Sequence, residues 1–398
     1  MAKFTDLIRY YKNYRAIAAF SILASSGFEL LDLVVPYAMG QLLNVLSAQP
    51  VDVVAQSLVQ GVARLAGVPV TQSLSLLVLL GLIFLVTVGR APIEPWLGVW
   101  FHWDVALRTR RDYAELAVKK LLSLPLSFYD EHNPGRIAGR VARGLSNHTW
   151  TYPEIAGQLI PKLVRVMGIF GVICLIAWPI ALAFLASFVI ILTYSLKDLV
   201  RLNRKEQTLD RYTEGTESRT SEIVTNIKTV KAFATEASEL ARQRRRLGRE
   251  LTLVDQVIHR GYVKLMTWQE SVIQLCVFGV LGLTLAATLG GHISLGHFVT
   301  TLTVSSMAYS ELEPISNLAE VFARRYASMV RFHEFLQLPT GIEAASIAEP
   351  ETVPSYQFTG KVHFDHITFG YDRDRPVLQD IDLLIQPKQT VALVGRSG

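Results

Sequence analysis

Five long apolar stretches, each long enough to cross a lipid bilayer, limit the folds that are open to this chain. A helix needs about 20 mainly apolar residues to span the hydrocarbon core. Half of the 398 residues are hydrophobic and only 18% are charged, a lower share than the roughly 25% of ordinary globular chains. We therefore expect a helical membrane protein. The stretches lie near residues 16–43, 74–103, 163–196, 265–290 and 293–317.

The third stretch is too long for one crossing, because a single helix over it would extend about 50 Å. Trp178-Pro179 interrupts its middle, and basic residues flank both of its ends. This pattern predicts a hairpin of two spans, and one helix kinked at Pro179 is the alternative. The predicted spans lie near residues 16–43, 74–103, 163–178, 180–196, 265–290 and 293–317.

The basic residues predict the orientation of these six spans. Residues 104–166 contain ten Lys or Arg and residues 197–264 contain fifteen, whereas Arg64 is the only basic residue between the first two spans. Cytoplasmic loops carry such an excess of positive charge. We expect both termini and the long loops to be cytoplasmic, in a multi-pass protein of the plasma or inner membrane. The basic residues are scattered between apolar runs, which argues against a nucleic-acid partner.

The long cytoplasmic segments, residues 104–124 and 196–260, are rich in helix formers and predict helical extensions of the spans. Breaks are expected at Leu126 to Gly135 and near Gly215, as the tips of two helical hairpins. The two cysteines, Cys174 and Cys276, lie inside apolar stretches, so neither a disulfide framework nor a metal site is predicted.

The character of the chain changes after Leu338. Residues 339–358 have the composition of a linker, so that residues 1–338 are predicted to form the membrane domain and residues 359–398 a separate one. Alternating residues around Val362 to Phe364 and Ile381 to Ile385 predict strands, and Thr390 to Val394 predicts a buried strand. That strand leads into Gly-Arg-Ser-Gly, which is similar to the first half of a phosphate-binding loop.

Five stretches of the chain carry a resemblance to one known family: LPLSFYDEHNPGRIAGRV at 124–141, SEIVTNIKTVKAFATEASE at 221–239, FGY at 369–371, VLQDIDLLI at 377–385 and TVALVGRSG at 390–398. Through these motifs the chain resembles the ATP-binding cassette (ABC) exporters, in the half-transporter arrangement of six membrane helices followed by one nucleotide-binding domain. Pro387-Lys388-Gln389 departs locally from the family, which usually has glycine there. The resemblance implies an all-α membrane fold with long cytoplasmic extensions, plus the first strands of an α/β P-loop domain.

The resemblance also implies particular sites. Tyr371 would stack on adenine, and the loop of Gly395, Arg396, Ser397 and Gly398 would contact the phosphates, with ATP and Mg²⁺ as cofactors of the intact protein. No catalytic residue of the family falls within these 398 residues, so we expect no ATP hydrolysis by this chain alone. Coupling helices are implied near residues 127–133 and 208–219, with the candidates Ser127, Phe128, Tyr129, Asp130, Glu131, Tyr212, Thr213, Glu214 and Gly215.

Ionisable residues inside the predicted spans are candidates for a translocation pathway, because such charges are costly in lipid and face protein or water. The candidates are Glu29, Asp32, Arg90, Glu94, Glu311 and Glu313. Arg90 and Glu94 are also spaced for an intrahelical pair. Glu29 and Asp32 have no cation nearby in sequence and need a basic partner on another span or an aqueous cavity. The sixth span carries the hydroxyls of Thr300, Thr301, Thr303, Ser305 and Ser306, which favour pathway lining, with helix packing as the alternative.

These patterns and the resemblance together predict ATP-driven export or flipping by a homo- or heterodimer of half-transporters in the bilayer. The substrate class stays open among small molecules, lipids and peptides, because fold does not fix cargo. Two alternatives remain: an ATP-independent six-span channel or secondary transporter whose buried acids bind ions, or a catalytically silent half that supports a competent partner.

Overall fold

The computed structural model of the protein describes residues 4–125, 128–129, 134–340, 359–370, 376–392 and 394. The chain divides into two compact units. The first comprises Met1–Leu121 and Leu126–Pro339, and the second comprises Leu122–Pro125 and Thr340–Gly398. Most of the predicted linker, residues 341–358, lies outside the described residues.

The first unit is built from helices. A short 3₁₀ turn, Lys12–Tyr14, joins the first two of them. In chain order the helices are α1 (Phe4–Arg9), α2 (Arg15–Leu31), α3 (Val34–Leu46), α4 (Val53–Ala66), α5 (Gln72–Phe84), α6 (Phe101–Leu122), α7 (Pro134–Glu154), α8 (Ile160–Ile176), α9 (Trp178–Thr225), α10 (Ile227–Ala232), α11 (Glu236–Leu253), α12 (Arg260–Leu289), α13 (Leu295–Ser310) and α14 (Leu312–Leu336).

Five helical stretches among the described residues are long and apolar enough to cross a membrane: Lys12–Leu46, Gln72–Gly89, Ile137–Ile176, Trp178–Leu202 and Glu236–Leu289. The sixth predicted span corresponds to α13, a helix of 16 residues that continues as α14 after a one-residue break at Glu311. Large apolar side chains on these helices are exposed, for example Leu77, Leu175 and Phe278. In water such a surface would aggregate, whereas lipid covers it without cost.

The chain reverses at Ala177. This residue has an extended backbone, with φ −155° and ψ 96°, and Pro179 lies in the first turn of α9. Proline fits there because the first helical N–H groups have no partner within the helix. Ile173 of α8 and Phe184 of α9 belong to one buried cluster. The structure therefore has two packed helices here and not one kinked helix.

The core of the first unit lies where α8 and α9 pack against α13 and α14. Its largest fully buried side chains include Ile169, Phe184, Tyr309 and Leu312. The Tyr309 hydroxyl lies 2.5 Å from Ser187 Oγ, so the one polar atom of this ring is hydrogen-bonded. Fixed packing at this point holds the junction between α13 and α14 in place.

The second predicted span is irregular in its C-terminal half. Leu85–Gly89 and Pro95–Trp100 form π-helical turns, separated by a turn at residues 90–93. Pro92 and Pro95 lie in or beside this turn and lack the N–H that an α-helix requires. π-helical segments occur frequently at functional sites. The irregularity places Arg90 at a point where the backbone departs from a regular helix.

The second of the two predicted helical hairpins outside the spans differs from the sequence prediction. No break occurs at Gly215, because α9 runs continuously from Trp178 to Thr225. Glycine costs only about 1 kcal/mol relative to alanine inside a helix, which neighbouring helix formers outweigh. The chain turns instead between Asn226 and Thr235. Beyond the turn, α11 runs alongside the end of α9, where Gln243 Nε2 donates to Thr220 Oγ1 at 2.9 Å.

The described part of the second unit contains one antiparallel hairpin. Strand β1 (Val362–Phe369) pairs with β2 (Leu378–Ile385), and Val362 lies opposite Ile385. The third strand predicted at Thr390 to Val394 does not form among the described residues, and Val394 is 94% exposed. A strand buried on both faces needs neighbouring strands and covering helices, and the described hairpin supplies neither at this position.

Candidate functional site

Arg90 is the centre of one charged network inside the membrane unit. Its guanidinium lies 2.5 Å from Asp32 Oδ1 and 3.1 Å from Glu94 Oε2, and Nη1 donates to the Phe28 carbonyl at 2.9 Å. Asp32 follows the last residue of α2, and Arg90 follows a π-helical turn, so both side chains leave helix ends. The intrahelical Arg90–Glu94 pair is present. Arg90 also links the first span to the second.

A second network joins α2, α8 and the break between α13 and α14. Arg165 Nη1 lies 3.0 Å from Glu29 Oε2 and 3.2 Å from Glu311 Oε1, and Lys162 Nζ lies 2.6 Å from Glu311 Oε2. Glu311 is only 7% exposed, so its charge requires these partners. The two negative charges of Glu29 and Glu311 balance the two positive charges of Lys162 and Arg165. Glu29 and Asp32 are thus neutralised by cations from two other helices.

Glu311 and Glu313 lie two residues apart but have different surroundings. Glu311 is buried and paired, whereas Glu313 is exposed and lines two cavities. The first, of about 280 Å³, lies between α12 and the α13–α14 junction and is lined by Gln269, Glu270, Ser306 and Tyr309 among others. The second, of about 470 Å³, adds Gln158 and Asn317. We call the first of these the Glu313 cavity.

The Glu313 cavity combines unpaired acidic groups with a buried amide. Neither Glu270 nor Glu313 forms an ion pair within the described residues. Gln269 is 7% exposed, and its Nε2 has no hydrogen-bond partner among the described residues. A buried donor without a partner costs free energy, which a polar ligand group at this place would offset. Ile273 and Val277 add apolar wall. The cavity can therefore accept a cationic group attached to an apolar body.

A smaller cavity of about 130 Å³ lies between the two charged networks. Glu29 and Glu94 both line it, together with Ser25 and His102. Ser25 Oγ lies 3.0 Å from His102 Nε2, and Ser21 Oγ lies 3.3 Å from His102 Nδ1. This volume suits a few water molecules, so polar groups of both networks have access to solvent on one side.

The hydroxyls of the sixth span divide between two roles. Thr300, Thr301 and Ser305 are fully buried, and Thr300 Oγ1 donates to the Pro36 carbonyl at 3.2 Å. These three pack α13 against neighbouring helices and do not line the Glu313 cavity, contrary to the interpretation favoured from the sequence. Ser306 does line that cavity. The alternation arises because a helix presents residues one position apart to different sides.

Several important residues were missed or interpreted differently from the sequence. Lys162 and Arg165 are among the basic residues that flank the third apolar stretch, where they indicated only its orientation. In the structure they are the counter-ions of the second network. Their spacing of three residues at the start of an apolar helix was the available signal. Glu270 was overlooked, although an acid inside the apolar stretch 265–290 is itself a signal of function.

The sequence-predicted nucleotide and coupling sites are only partly covered by the structure. Tyr371, Gly395, Arg396, Ser397 and Gly398 lie outside the described residues, as do Ser127, Asp130 and Glu131. Phe128 and Tyr129 are helical, and the Tyr129 hydroxyl donates to the Leu121 carbonyl at 2.5 Å. The backbone of Tyr212, Thr213, Glu214 and Gly215 is part of α9, but their side chains lie outside the described part.

These features define an integral membrane protein whose apolar helices hold charged networks and polar cavities, as transport proteins do. The sequence profile of the ABC transporter transmembrane region matches residues 18–310, and the chain belongs to this family. The predicted family and the predicted membrane fold class are thereby confirmed.

Relatives and solved structures agree with this assignment. An uncharacterised ABC transporter ATP-binding protein of Bacillus subtilis is 25% identical over 75% of this chain and 51% of its own length. An ATP-dependent lipid A-core flippase of Chromobacterium violaceum is 24% identical over 77% of this chain and 51% of its own length. The chain thus spans about half the length of these curated relatives.

The fold is similar to that of a bacterial Atm1-family ABC exporter solved with ATP bound. The TM-score is 0.63 at 16% identity, over 93% of this chain and 62% of the exporter chain. At this level of identity the likeness concerns the fold alone.

Proposed function

We propose that the intact protein uses ATP to export or flip an amphiphile with a cationic or zwitterionic head group. The observation that carries this proposal is the Glu313 cavity, where Glu270 and Glu313 face one space without a cationic partner among the described residues. The same space has an apolar wall of Ile273 and Val277. A carboxylate that has no partner attracts an ammonium group, and the apolar wall accepts hydrocarbon.

Export driven by ATP is supported by the family of the chain and by the names of its relatives, which include an ATP-dependent flippase. Tyr371 and the loop of residues 395–398 would contact the nucleotide, which supplies the free energy for the conformational change. A half-transporter needs a second nucleotide-binding domain, so the working unit is a dimer. The coupling segments around Phe128 and around residues 208–219 would transmit closure of the nucleotide-binding domains to the membrane helices.

The charged networks have a structural part in this cycle. The second network joins α2, α8 and the α13–α14 break through its side chains. It would hold these helices together in one state of the transporter. Such a set of pairs has two discrete arrangements, formed and broken, which suits a domain that alternates between two states. The acids of the networks are paired with cations, which supports ATP-driven export over ion binding at these acids.

The test is transport by the full-length protein in proteoliposomes. We expect ATP to accelerate the movement of fluorescent zwitterionic lipids and cationic amphiphiles between leaflets, and these compounds to stimulate the ATPase. Anionic amphiphiles of equal chain length provide the comparison. A non-hydrolysable ATP analogue should abolish movement. Lipid movement that depends on an ion gradient and not on ATP would instead support a channel or secondary transporter. Equal transport of cationic, zwitterionic and anionic amphiphiles would overturn the proposed substrate class.

A further inference from the structure

An apolar groove, lined by residues other than those of the Glu313 cavity, lies beside the first helix. It has a volume of about 640 Å³, within the range of ligand-binding pockets. Its walls come from α1, α2, the junction of α7 and α8, and α14, and its interior surface is mainly apolar. They include Ile8, Ala19, Ile22, Ile155 and Phe322.

Three cations border this groove. Arg9, Lys12 and Arg15 belong to the lining, and all three are exposed. No acidic residue belongs to the lining described here, and the acid nearest in sequence, Asp6, lies 3.8 Å from the guanidinium of Arg9, which remains 78% exposed. The groove thus has an apolar interior and a positively charged rim, a pattern complementary to an anionic head group on a hydrocarbon chain.

The segment that carries these cations is anchored through residues in and directly after α1. Leu7 and Tyr10 are 3% and 4% exposed. The Tyr10 ring stacks on Tyr113 and His148 with centroid distances of 3.9 and 4.3 Å, and its hydroxyl lies 3.2 Å from His333 Nδ1. Burial raises the pKa of Tyr10, so its hydroxyl stays protonated in this contact. Because α1 is fixed, the rim is a preformed feature and not a property of a loose terminus.

We propose that this groove binds an anionic phospholipid, with an acyl chain in the apolar interior and the phosphate beside Arg9, Lys12 and Arg15. Clusters of basic residues at the end of a membrane helix attract anionic lipids. The long side chains of Arg and Lys can lie along the apolar wall while their charges reach the head group. The bound lipid is a resident ligand beside α1 and α2. It is distinct from the transported amphiphile, whose proposed site is lined by α12 and the α13–α14 junction.

The first test measures head-group preference with the full-length protein in detergent. Native mass spectrometry with equal amounts of phosphatidylglycerol and phosphatidylcholine should find the anionic lipid retained in preference. The variant R9Q/K12Q/R15Q should lose roughly tenfold or more of that preference, because each cation near a membrane surface contributes to anionic binding. The matched control R244Q/R245Q/R249Q removes three exposed arginines from α11 and should retain the preference for the anionic lipid. Equal losses in both variants would overturn the proposal.

The second test asks what fills the groove. Ala19→Trp places a large ring in it and should reduce lipid retention several-fold, whereas Leu23→Trp, on the exposed face of the same helix, should not. A benzophenone amino acid at Ile22 should yield an adduct with the mass of a phospholipid. An adduct with a second copy of the chain would show that protein fills the groove and would overturn the proposal. Neither readout needs ATP or transport, so failure here leaves the proposed export function untouched.

Discussion

Glu29 and Asp32 lie three residues apart on one side of the first span, yet cations from two different helices neutralise them. Arg165 reaches Glu29 at 3.0 Å, and Arg90 reaches Asp32 at 2.5 Å. Pairs of this kind contribute little net free energy when intact, because each ion has lost its hydration. Removing one partner is far more damaging, since it leaves a buried charge without compensation. The charged residues of the spans are therefore a set that tolerates only balanced changes.

We predict that Arg165→Gln destabilises the protein by about 2 kcal/mol, less than the roughly 3–5 kcal/mol of a fully buried pair, because Arg165 and Glu29 are partly exposed. The substitution leaves Glu29 without its cation, while Glu311 keeps Lys162 at 2.6 Å. The double variant E29Q/R165Q should recover most of the loss, because it removes both charges together. The midpoint of thermal unfolding of the purified protein in detergent measures both effects.

Arg242→Gln is the matched control for this comparison. Arg242 pairs with Glu239 at 3.0 Å but is half exposed, so its loss should cost under about 1 kcal/mol. A double variant less stable than R165Q alone would show that the network does not act through charge balance.

We predict that Glu313→Gln weakens stimulation of the ATPase by cationic amphiphiles while stability stays unchanged. Glu313 is exposed in its cavity and carries no ion pair within the described residues, so the loss of its charge breaks no ion pair there and should cost little stability. A charged hydrogen bond to cargo contributes about 1.5 kcal/mol or more, which corresponds to roughly tenfold in half-maximal concentration. Glu334→Gln, on the exposed side of the same helix, is the control and should change nothing. If the wild type, Glu313→Gln and Glu334→Gln all needed the same amphiphile concentration for half-maximal ATPase stimulation, Glu313 would be excluded from the cargo site.

The sequence showed where the charged residues of the spans lie better than it showed their partners. An acid in an apolar stretch is visible at once, and so is the Arg90–Glu94 pair, because both belong to one helix. The pairing of Glu29 with Arg165 is not visible, since it depends on how distant helices pack. Glu311 and Glu313 look equivalent in sequence, and only the break between α13 and α14 gives them different surroundings.

At the level of whole helices, α3 and α13 approach each other through small residues. A Cβ atom added to Gly40 would collide with Thr300 and the Gly296 carbonyl, and one added to Gly296 would collide with the Gly40 carbonyl. Asn44 Oδ1 accepts a hydrogen bond from the Gly296 N–H at 2.8 Å. Without a hydrophobic drive between helices in lipid, such close contact and hydrogen bonding are what hold two spans together.

We predict that Gly40→Val destabilises this crossing by about 3 kcal/mol or more, because the helices must separate to admit the side chain. Gly282→Val on α12 is the control. A Cβ at Gly282 meets no atom within 4 Å, so only the intrinsic helix preference changes there. Protease resistance in detergent and the yield of folded protein measure the difference. Equal behaviour of the two variants would mean that the crossing is loose enough to absorb a valine.

Helices and turns were predicted well where the hydrophobicity of the segment determines its structure. They were predicted poorly where the structure depends on packing against neighbouring elements. The membrane helices follow from apolar length, and the reversal at Ala177 follows from Pro179 between two basic flanks. The end of α9 does not, because the neighbouring helix formers carry the helix through Gly215 and the chain turns only after Thr225. Among the described residues, the strand predicted at Thr390 to Val394 does not form, since a buried strand needs neighbours to pair with.

Across the whole molecule, apolar exposure and charge point to one arrangement in the bilayer. Exposed side chains such as Leu77 and Phe278 form the surface that lipid covers, and the positively charged segments lie beyond the ends of the spans. Moving those cations through the hydrocarbon would cost far more than any contact within the domain returns. The turn after α12 and the turn after α10 should therefore lie on opposite sides of the membrane.

Labelling with a membrane-impermeant maleimide tests this arrangement in cells. In a background where Cys174 and Cys276 are replaced by alanine, we expect His292→Cys to be labelled in intact cells. Thr235→Cys should be labelled only after the membrane is permeabilised, because it lies in the turn next to the basic helix α11. Both positions are exposed, so a difference between them reports the side of the membrane and not burial. The reverse labelling pattern would invert the whole domain in the bilayer. The Glu313 cavity and the apolar groove beside Arg9, Lys12 and Arg15 would then face the opposite leaflets, and the proposals for cargo export and for phospholipid binding would fail together.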